Sequence, residues 1–262
     1  FAFASNGDGF IFHDKTAPMN GGQLETEISL EEFPSPQELW AKYCAFKGYT
    51  EHQLPFITQE YFDDGSGKAP RYYQLQAINK TVEAVSRGQN RNLLVMATGT
   101  GKTYTATRLL LALQKLADGK AHIKLAAPTG KAAQRLKESV AQGKAQLATT
   151  NVPQELVDTI PDEAMTLHRL LGFRPHSVQP RYGEQRQLLC DVLLIDEVSM
   201  IDLPMMARLL RATSEDTLLI MLGDANQLPS VDVGSVMAEL TALNDGRYSE
   251  AAANQINALT GE

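Results

Sequence analysis

The chain has 262 residues, 43% of them hydrophobic, which is enough to fill the core of one large domain or two modest ones. Its net charge of −7 argues against a protein that coats nucleic acid by charge alone, but it does not exclude a local basic track on one face. No apolar run reaches the length of a membrane span and no signal-peptide pattern is present, so we expect a cytoplasmic chain without membrane attachment. The first residue is Phe rather than Met, which favours a fragment. Cys44 and Cys190 lie far apart and are expected to be reduced thiols.

Residues 1–69 are predicted to form a small α+β segment. The pattern of residues 1–12 is typical of a β-hairpin that turns at Asn-Gly-Asp-Gly, residues 6–9. A further strand is predicted at residues 26–30. A helix is predicted at residues 37–46, after a Pro-Ser-Pro sequence.

Two features of this segment allow more than one interpretation. Trp40 lies at helical spacing from Tyr43, which favours a core position over a ligand platform. Clustered acids could indicate a metal-dependent nuclease, but the usual D…E-x-K order is absent, which favours a solvated acidic face. The clustered acids are Glu25, Glu27, Glu31 and Glu32.

A helix is predicted from Pro70 towards Val85, with apolar residues at helical spacing. Three residues near its start are suited to reading an adenine. The Gln74 amide can donate to N7 and accept from the N6 amine, while Tyr73 or Arg71 stacks on the ring. An ordinary helix start is the alternative. The position shortly before a phosphate loop favours the adenine site, as in a helicase Q motif.

A strand at residues 93–96, a Gly-rich turn and a helix at residues 104–116 predict a phosphate-binding loop. Gly99 and Gly101 would let the backbone wrap a polyphosphate and direct N–H groups at it. The helix N-terminus would add its positive dipole end. The loop consists of Thr98, Gly99, Thr100, Gly101, Lys102 and Thr103.

Two side chains of this loop have specific expected roles. Lys102 would bind the β- and γ-phosphates, and the Thr103 hydroxyl would bind Mg²⁺. Met96 stands where the strict G-x-x-x-x-G-K-[ST] pattern has glycine. The variant form A-x-x-G-x-G-K-T is common in nucleic-acid helicases and translocases. A chance Gly-Lys-Thr between a strand and a helix is the alternative.

A second strand is predicted at residues 122–127, followed by a helix that starts near Lys131. Thr129 and Lys131 would then lie at a helix N-terminus, on the same carboxyl edge of the sheet as the phosphate loop. This is an anion site suited to a nucleic-acid phosphate. A plain strand-to-helix turn with an exposed lysine is the alternative.

Residues 141–165 predict a connector with a short helix, and residues 166–172 a compact helical turn in which Arg169 is expected to face a phosphate. Residues 173–187 are typical of a polar loop or hairpin. Local positive charge in this loop comes from Arg174, Arg181 and Arg186.

The acidic pair Asp196-Glu197 follows four apolar residues that predict a buried parallel strand. Asp196 at the carboxyl end of that strand is expected to hold Mg²⁺, directly or through water. Glu197 is placed to polarise an attacking water. Asp202 is a plausible N-cap for the apolar helix predicted at residues 205–210.

A further strand is predicted at residues 218–222. Gln227 beyond it is expected to act as a polar sensor that hydrogen-bonds the γ-phosphate or the attacking water, with Asp224 supporting it. The last clear helix is predicted at residues 236–243.

The chain shows two family resemblances. Residues 1–106 resemble the restriction (R) subunit of type I restriction enzymes in the runs SNGDGF (5–10), EFPSPQELW (32–40), RYYQ (71–74) and MATGTGKT (96–103). Residues 108–262 resemble RecD, the alpha subunit of exodeoxyribonuclease V. The matching runs there are LAAPTGKAA (125–133), TLHRLLG (166–172), DEVSMIDLPMM (196–206) and LGD (222–224). The chain therefore resembles a splice of two helicase families, of natural or engineered origin.

These resemblances imply a RecA-like P-loop NTPase fold, a three-layer α/β sandwich with a mostly parallel sheet, over residues 70–262. They imply an ATP-dependent DNA helicase or translocase motor that uses ATP and Mg²⁺, binds single-stranded or duplex DNA, and joins partner subunits of a nuclease-helicase. A second motor domain and its arginine finger are not recognised, so weak turnover is expected. A non-catalytic scaffold and a part of an ATP-dependent nuclease are the alternatives.

Overall fold

The structure, a computed structural model, describes residues 1–5, 7–58, 70–97, 101–148, 152–174, 179–224 and 237. The chain divides into two compact units, Phe1–Thr58 and Gln59–Glu262. The helix predicted at residues 236–243 lies outside the described residues, apart from Met237, which is helical.

The described part of the first unit is a three-stranded antiparallel sheet with two α-helices and a 3₁₀ helix at Ala17–Asn20. Its strands, in the spatial order β1-β2-β3, are β1 (Ala2–Ser5), β2 (Gly9–His13) and β3 (Glu25–Ser29). Its α-helices are α1 (Pro36–Lys47) and α2 (Leu54–Ile57). The predicted hairpin, third strand and helix are confirmed. α1 starts where it does because Ser35 and Glu38 form a capping box, in which the Glu38 N–H donates to Ser35 Oγ and the Ser35 N–H to the Glu38 carboxylate.

The predicted core position of Trp40 is wrong. α1 buries none of its side chains, and Trp40 is 39% exposed. Its helical spacing from Tyr43 reflects a stacked pair on the surface, with ring centroids 5.8 Å apart. Closer aromatic packing in this unit occurs on the sheet, where, for example, Phe3 stacks on the buried Phe12 at 4.7 Å.

Over the described part of the second unit, five strands form one sheet and each of the recorded strand pairs is parallel. Its strands are β4 (Arg91–Val95), β5 (Ile123–Ala127), β6 (Ala164–Thr166), β7 (Val192–Ile195) and β8 (Leu218–Gly223). Their spatial order is β4-β8-β7-β5-β6. The helices with described bounds are α3 (Tyr72–Ser86), α4 (Lys102–Leu116), α5 (Gly130–Leu147), α6 (Gln154–Asp158), α7 (Leu167–Leu171) and α8 (Leu203–Ala212).

The helices form layers on both faces of this sheet. The β4-α4-β5 and β5-α5-β6 connections run across the sheet in one direction and β7-α8-β8 runs back, so right-handed crossovers place α4 and α5 opposite α8. α3 packs on α4, and α4 packs on α5. α7 and α8 share a core cluster with alternate strand residues such as Leu193, Ile195 and Leu219. The predicted three-layer α/β sandwich is confirmed.

α4, which begins at Lys102 directly after the predicted phosphate loop, is the central helix of its layer. Residues 105–114 are all buried, so this helix is covered on every side rather than amphipathic. The buried Gln114 amide is satisfied, because it donates to the Ala121 and Thr159 carbonyls at 2.8 and 3.1 Å.

The connector predicted at residues 141–165 is wrong at both ends. α5 continues to Leu147, and the confirmed short helix α6 is followed by the strand β6. β6 pairs with β5 through only three half-buried residues, which is too short a run to give an apolar pattern.

We predict that Gly143→Ala destabilises the protein. A Cβ at Gly143 would lie 2.6–2.9 Å from side-chain atoms of the buried Thr107 on α4, too close for contact. Overpacking costs about 1–3 kcal/mol, which outweighs the gain of about 1 kcal/mol from replacing a helical glycine by alanine. Urea unfolding of the variant and the parent measures the difference in their free energies of unfolding. Gly130→Ala on the same helix is the matched control, because open space surrounds it. A Gly143→Ala variant more stable than the parent would contradict the close α4–α5 approach.

Candidate nucleotide-binding site

The carboxyl ends of the parallel strands meet at one edge of the sheet, and the segments that follow β4, β7 and β8 come together there. The Met96 N–H donates to the Gly223 carbonyl at 2.9 Å, which ties the start of the loop after β4 to the end of β8. The Asp196 N–H donates to the Ala126 carbonyl at 3.0 Å, which continues the β7–β5 pairing past the last strand residue. Backbone hydrogen bonds thus fix the positions from which the site side chains extend.

Gly101 is the residue at which the loop enters α4, and its conformation requires glycine. Its φ is +79°, in the left-handed region, and a Cβ there would collide with Gln74 Nε2. Gln74 is buried, and its Oε1 accepts the Arg71 N–H at 3.0 Å. The Arg71 guanidinium in turn donates to the Tyr73 hydroxyl at 3.1 Å. The three residues predicted to read an adenine therefore form one connected group, and Gln74 of this group touches the loop.

Lys102 and Glu197 form an ion pair across the sheet edge. Lys102 Nζ lies 3.4 Å from Glu197 Oε2, and their side chains are only 10% and 22% exposed. Lys102 is the first residue of α4, and Glu197 lies two residues beyond β7. The structure therefore brings the predicted phosphate-binding lysine and the predicted water-polarising acid together.

Asp196 is a buried carboxylate next to this pair, 9% exposed. Burial raises its pKa above the ordinary value, and the charge of Glu197 adds to that rise. The Glu197 N–H, which donates to Asp196 Oδ1 at 2.8 Å, and the positive charge of Lys102 act in the opposite direction without cancelling it. An ionised Asp196 is therefore under-compensated by its own protein and suited to a bound cation.

Glu197 has a left-handed backbone, with φ 54° and ψ 43°. Among the non-glycine residues within the described ranges, Asp118 alone shares a positive φ. This conformation costs a residue with a side chain about 1–2 kcal/mol, and such costs are often found at functional sites. It turns the chain sharply after β7 and leads into a 3₁₀ turn at Val198–Met200.

Several predicted site residues lie outside the part of the chain that the structure describes. Gln227 and the loop residues Thr98, Gly99 and Thr100 lie outside the described residues, as does the side chain of Thr103, whose backbone belongs to α4. Asp224 is described and buried, directly after β8. The assignment of these residues to the site stays a prediction.

The predicted DNA-binding residues lie at the carboxyl ends of β5 and β6. Thr129 is the N-cap of α5, and its hydroxyl accepts the Ala132 N–H at 3.2 Å. Lys131 is exposed in the first turn of α5, and Arg169 is exposed on α7. Because the register pairs Ala127 with Thr166, the two strands end level with each other. The predicted common edge is confirmed, whereas the role of these residues stays a prediction.

Ser199 is a polar residue near the site to which the sequence assigns no role. It is 3% exposed, and its hydroxyl has no hydrogen-bond partner among the residues that the structure describes. The Ser199 backbone N lies close to Gly223, because a Cβ added to Gly223 would be 3.4 Å from it. Only its burial distinguishes it, and a sequence pattern does not carry that signal.

The residues present fit a nucleotide with Mg²⁺ better than a metal held by protein alone. Across the described ranges, no group of three or more His, Cys, Asp and Glu residues could hold a metal ion. Mg²⁺ is usually bound through one or two carboxylates together with substrate phosphates, and the buried Asp196 beside Lys102 supplies such a carboxylate.

No described helix is both long and apolar enough to cross a membrane.

Comparison with known proteins identifies the family. A family model described as an AAA domain matches residues 79–233, more than half of the chain and all of the strands β4 to β8. The chain belongs to this AAA domain family. With its parallel sheet and its Gly-Lys-Thr turn at the start of α4, this domain has a RecA-like P-loop fold.

Individual relatives fall into two groups. The chain is 70% identical to the type I restriction enzyme EcoAI endonuclease subunit of Escherichia coli over 115 residues, 44% of this chain and 14% of that protein. It is 50% identical to the RecBCD enzyme subunit RecD of Haemophilus influenzae over 164 residues, 62% of this chain and 26% of the relative. It is 32% identical to the ATP-dependent RecD2 DNA helicase of Deinococcus radiodurans over 147 residues, 56% of this chain and 17% of that helicase.

These similarities confirm the hybrid character of the chain. It combines a segment similar to a type I restriction subunit with a segment similar to RecD, and the two matches overlap because together they exceed the chain length. The chain spans about a quarter or less of the length of each of these relatives.

We predict that Asp196→Asn stabilises the protein when nucleotide and Mg²⁺ are absent. When the pKa of a carboxyl is raised in the folded state, the free energy of unfolding falls as the pH rises and the group ionises. At neutral pH the charge of Asp196 therefore destabilises the fold, and asparagine removes that charge. Asparagine keeps an oxygen to accept the Glu197 N–H. The gain should fall within the range of about 0.5–2 kcal/mol usual for stabilising substitutions.

Urea unfolding at pH 7 and at successively lower pH tests this expectation. The difference between variant and parent should shrink on acidification, as Asp196 becomes protonated in the parent. Asp202→Asn is the control, because asparagine also caps a helix well and Asp202 is the N-cap of α8. An Asp196→Asn variant less stable than the parent at pH 7 would show that Lys102 already compensates the charge.

Proposed function

We propose that residues 70–262 are the motor domain of an ATP-dependent DNA helicase or translocase. The observation that carries the proposal is the approach of Lys102, at the N-terminus of α4, to Glu197 and the buried Asp196 at the end of β7. A phosphate-binding lysine beside two acids at the end of another strand of the same sheet is an arrangement suited to nucleotide hydrolysis with Mg²⁺. Membership of the AAA domain family and the similarity to an ATP-dependent RecD2 DNA helicase support it.

ATP and Mg²⁺ are the proposed ligands. Mg²⁺ bound with ATP would neutralise charge on the phosphates. Lys102 would bind the β- and γ-phosphates, and Thr103 and Asp196 would hold the Mg²⁺. The backbone of residues 98–101 would surround the polyphosphate, the group formed by Arg71, Tyr73 and Gln74 would bind the base, and Asp224 would line the site.

Glu197 is the proposed general base. Its Oε2 would accept a proton from the attacking water, a task for which it must first separate from Lys102. A nucleotide phosphate that draws Lys102 away would release Glu197 at the moment when the substrate is in place. Gln227 would hydrogen-bond the γ-phosphate or this water.

DNA is the proposed track of the motor. Thr129 and Lys131 at the start of α5, and Arg169 on α7, would contact its phosphates from the carboxyl edge of the sheet. Because the relatives include subunits of the RecBCD and EcoAI enzymes, we also infer partner subunits of a nuclease-helicase. ATP and DNA occur together in the cytoplasm, so we infer that location.

Residues 1–69 form the proposed second domain, a separate α+β segment. The division of the chain into compact units at Thr58 and Gln59 is compatible with it. Residues 59–69 lie outside the described residues, so the proposal rests for them on the sequence alone.

We predict that Lys102→Ala weakens ATP binding by more than about a hundredfold, because a full charge on the phosphates is lost together with its charge-assisted hydrogen bonds. Equilibrium binding of a fluorescent ATP analogue with Mg²⁺ measures it. Lys137→Ala, which removes an exposed lysine from α5, is the matched control and should bind as the parent does. Equal affinity of Lys102→Ala and Lys137→Ala would refute the nucleotide site.

We predict that Glu197→Gln lowers the rate of ATP turnover by a factor of about 10²–10⁴ without weakening ATP binding. Glutamine cannot take the proton from water, and it no longer holds Lys102 in an ion pair, so affinity should be unchanged or tighter. Phosphate release and nucleotide binding are measured on the same preparations. Glu138→Gln, an exposed change on α5, is the control. Turnover that persists in Glu197→Gln would remove Glu197 from the role of base.

A further inference from the structure

An arginine-rich cleft of about 490 Å³ lies on the side of the sheet that carries α7 and α8. One wall is residues 179–186, and the other is the pair Arg208 and Arg211 on α8. The first wall is fixed by its backbone, because the Arg181 and Tyr182 N–H groups both donate to the carbonyl at the end of α7, at 3.0 and 3.1 Å. The cleft is therefore a built feature of the fold, formed by segments far apart in the sequence.

The charge of this cleft is opposite to that of the chain. Four arginines and one glutamate line it, which leaves a surplus of three positive charges in a chain of net charge −7. The glutamate, Glu184, has its Oε1 3.5 Å from Arg211 Nε, with side chains 75% and 65% exposed. An ion pair so exposed is weak, so another anion can displace the carboxylate.

Aromatic rings orient the arginines. The guanidinium carbons of Arg181 and Arg186 both lie 5.6 Å from the centre of the Tyr182 ring, and that of Arg208 lies 5.5 Å from the Phe173 ring. Attraction to a ring face holds a guanidinium near the ring and leaves its N–H groups able to bind an anion. Of the four arginines, only Arg211 pairs with a carboxylate among the residues that the structure describes.

The cleft is distinct from the nucleotide site. α8 begins near the carboxyl edge of the sheet at Asp202 and runs back towards the start of β8, so its last turn lies near the amino edge. The Leu188 N–H donates to the Ala212 carbonyl at 2.7 Å, which anchors the segment after the cleft to that end of α8. Neither wall includes Lys102, Asp196 or Glu197.

We propose that this cleft binds the phosphate backbone of DNA, as a contact additional to those proposed for Thr129, Lys131 and Arg169. The inference rests on the proposed function as a DNA motor. The positive residues are all arginines, whose planar fork matches a phosphate bidentately. Tyr182, the one aromatic residue in the described lining, lies among the arginines and favours nucleic acid over an acidic protein segment, because bases stack on such a ring and carboxylate side chains do not.

The test measures DNA binding by the full chain without ATP, with fluorescence anisotropy as the readout. The probes are a labelled single strand and a labelled duplex, each about 20 nucleotides long, between about 50 and 200 mM salt. The double variant Arg208→Gln/Arg211→Gln should bind about threefold to tenfold more weakly, with a shallower salt dependence, by about 1–2 in the log–log slope. The probe with the larger loss identifies the form of DNA that the cleft holds.

Two further variants separate this effect from general charge loss and from misfolding. Lys80→Gln/Arg87→Gln removes the same charge from α3 and the residue that follows it, where both side chains pair with Glu83, and should leave DNA binding close to that of the parent. Glu184→Gln removes the competing carboxylate and should tighten DNA binding, about twofold or more. A tighter binder cannot be explained by a damaged fold.

The inference is overturned if the arginine variant and the α3 control lose affinity equally, or if Glu184→Gln has no effect. It is also overturned if the arginine variant loses binding to labelled poly-glutamate and not to DNA, since the cleft would then fit an acidic protein. In each case the proposed function stands as long as the parent chain binds DNA and its ATPase activity rises with DNA. If the parent binds neither DNA probe, the proposed function fails and the inference fails with it.

Discussion

The ion pair between Lys102 and Glu197 is the interaction on which the candidate site depends. It joins residues 95 positions apart in the sequence, at the ends of strands that are not neighbours, because β8 lies between β4 and β7. Two strand spacings are about 9–10 Å, a gap that a lysine and a glutamate can bridge from opposite sides. The parallel order of the strands makes the contact possible, because it brings both loops to the same edge.

The site is held together at a cost to the stability of the domain. Asp196 is buried in a setting that raises its pKa, and Glu197 adopts a left-handed backbone that favours glycine. Neither feature stabilises the ligand-free protein, and each is supported by the packed strands around it, whose β7 residues are all buried. Such costs fit a site arranged in advance for a cation and a polyphosphate, which is the proposed function.

The hybrid character of the chain is compatible with one continuous sheet. β4, from the segment similar to restriction subunits, pairs with β8, from the segment similar to RecD, in register from Arg91–Leu219 to Val95–Gly223. The hydrogen bonds of this pairing join main-chain N–H and C=O groups, which strands of different families share. The more demanding contact is that of α4, because it is buried on all sides and approaches α5 closely where Thr107 meets Gly143.

The sequence by itself determined the local units: the apolar runs with the turns and helices that follow them, the cap at Asp202, and the residues expected at the strand ends. These depend on neighbours within a few positions, so periodicity and turn chemistry reveal them. Only the tertiary structure decided the insertion of β8 between β4 and β7, the three-residue strand β6, the surface position of Trp40 and the two-walled arginine cleft. The physical reason is that these features come from pairing and packing between distant segments, which leave no periodic signal in either segment alone.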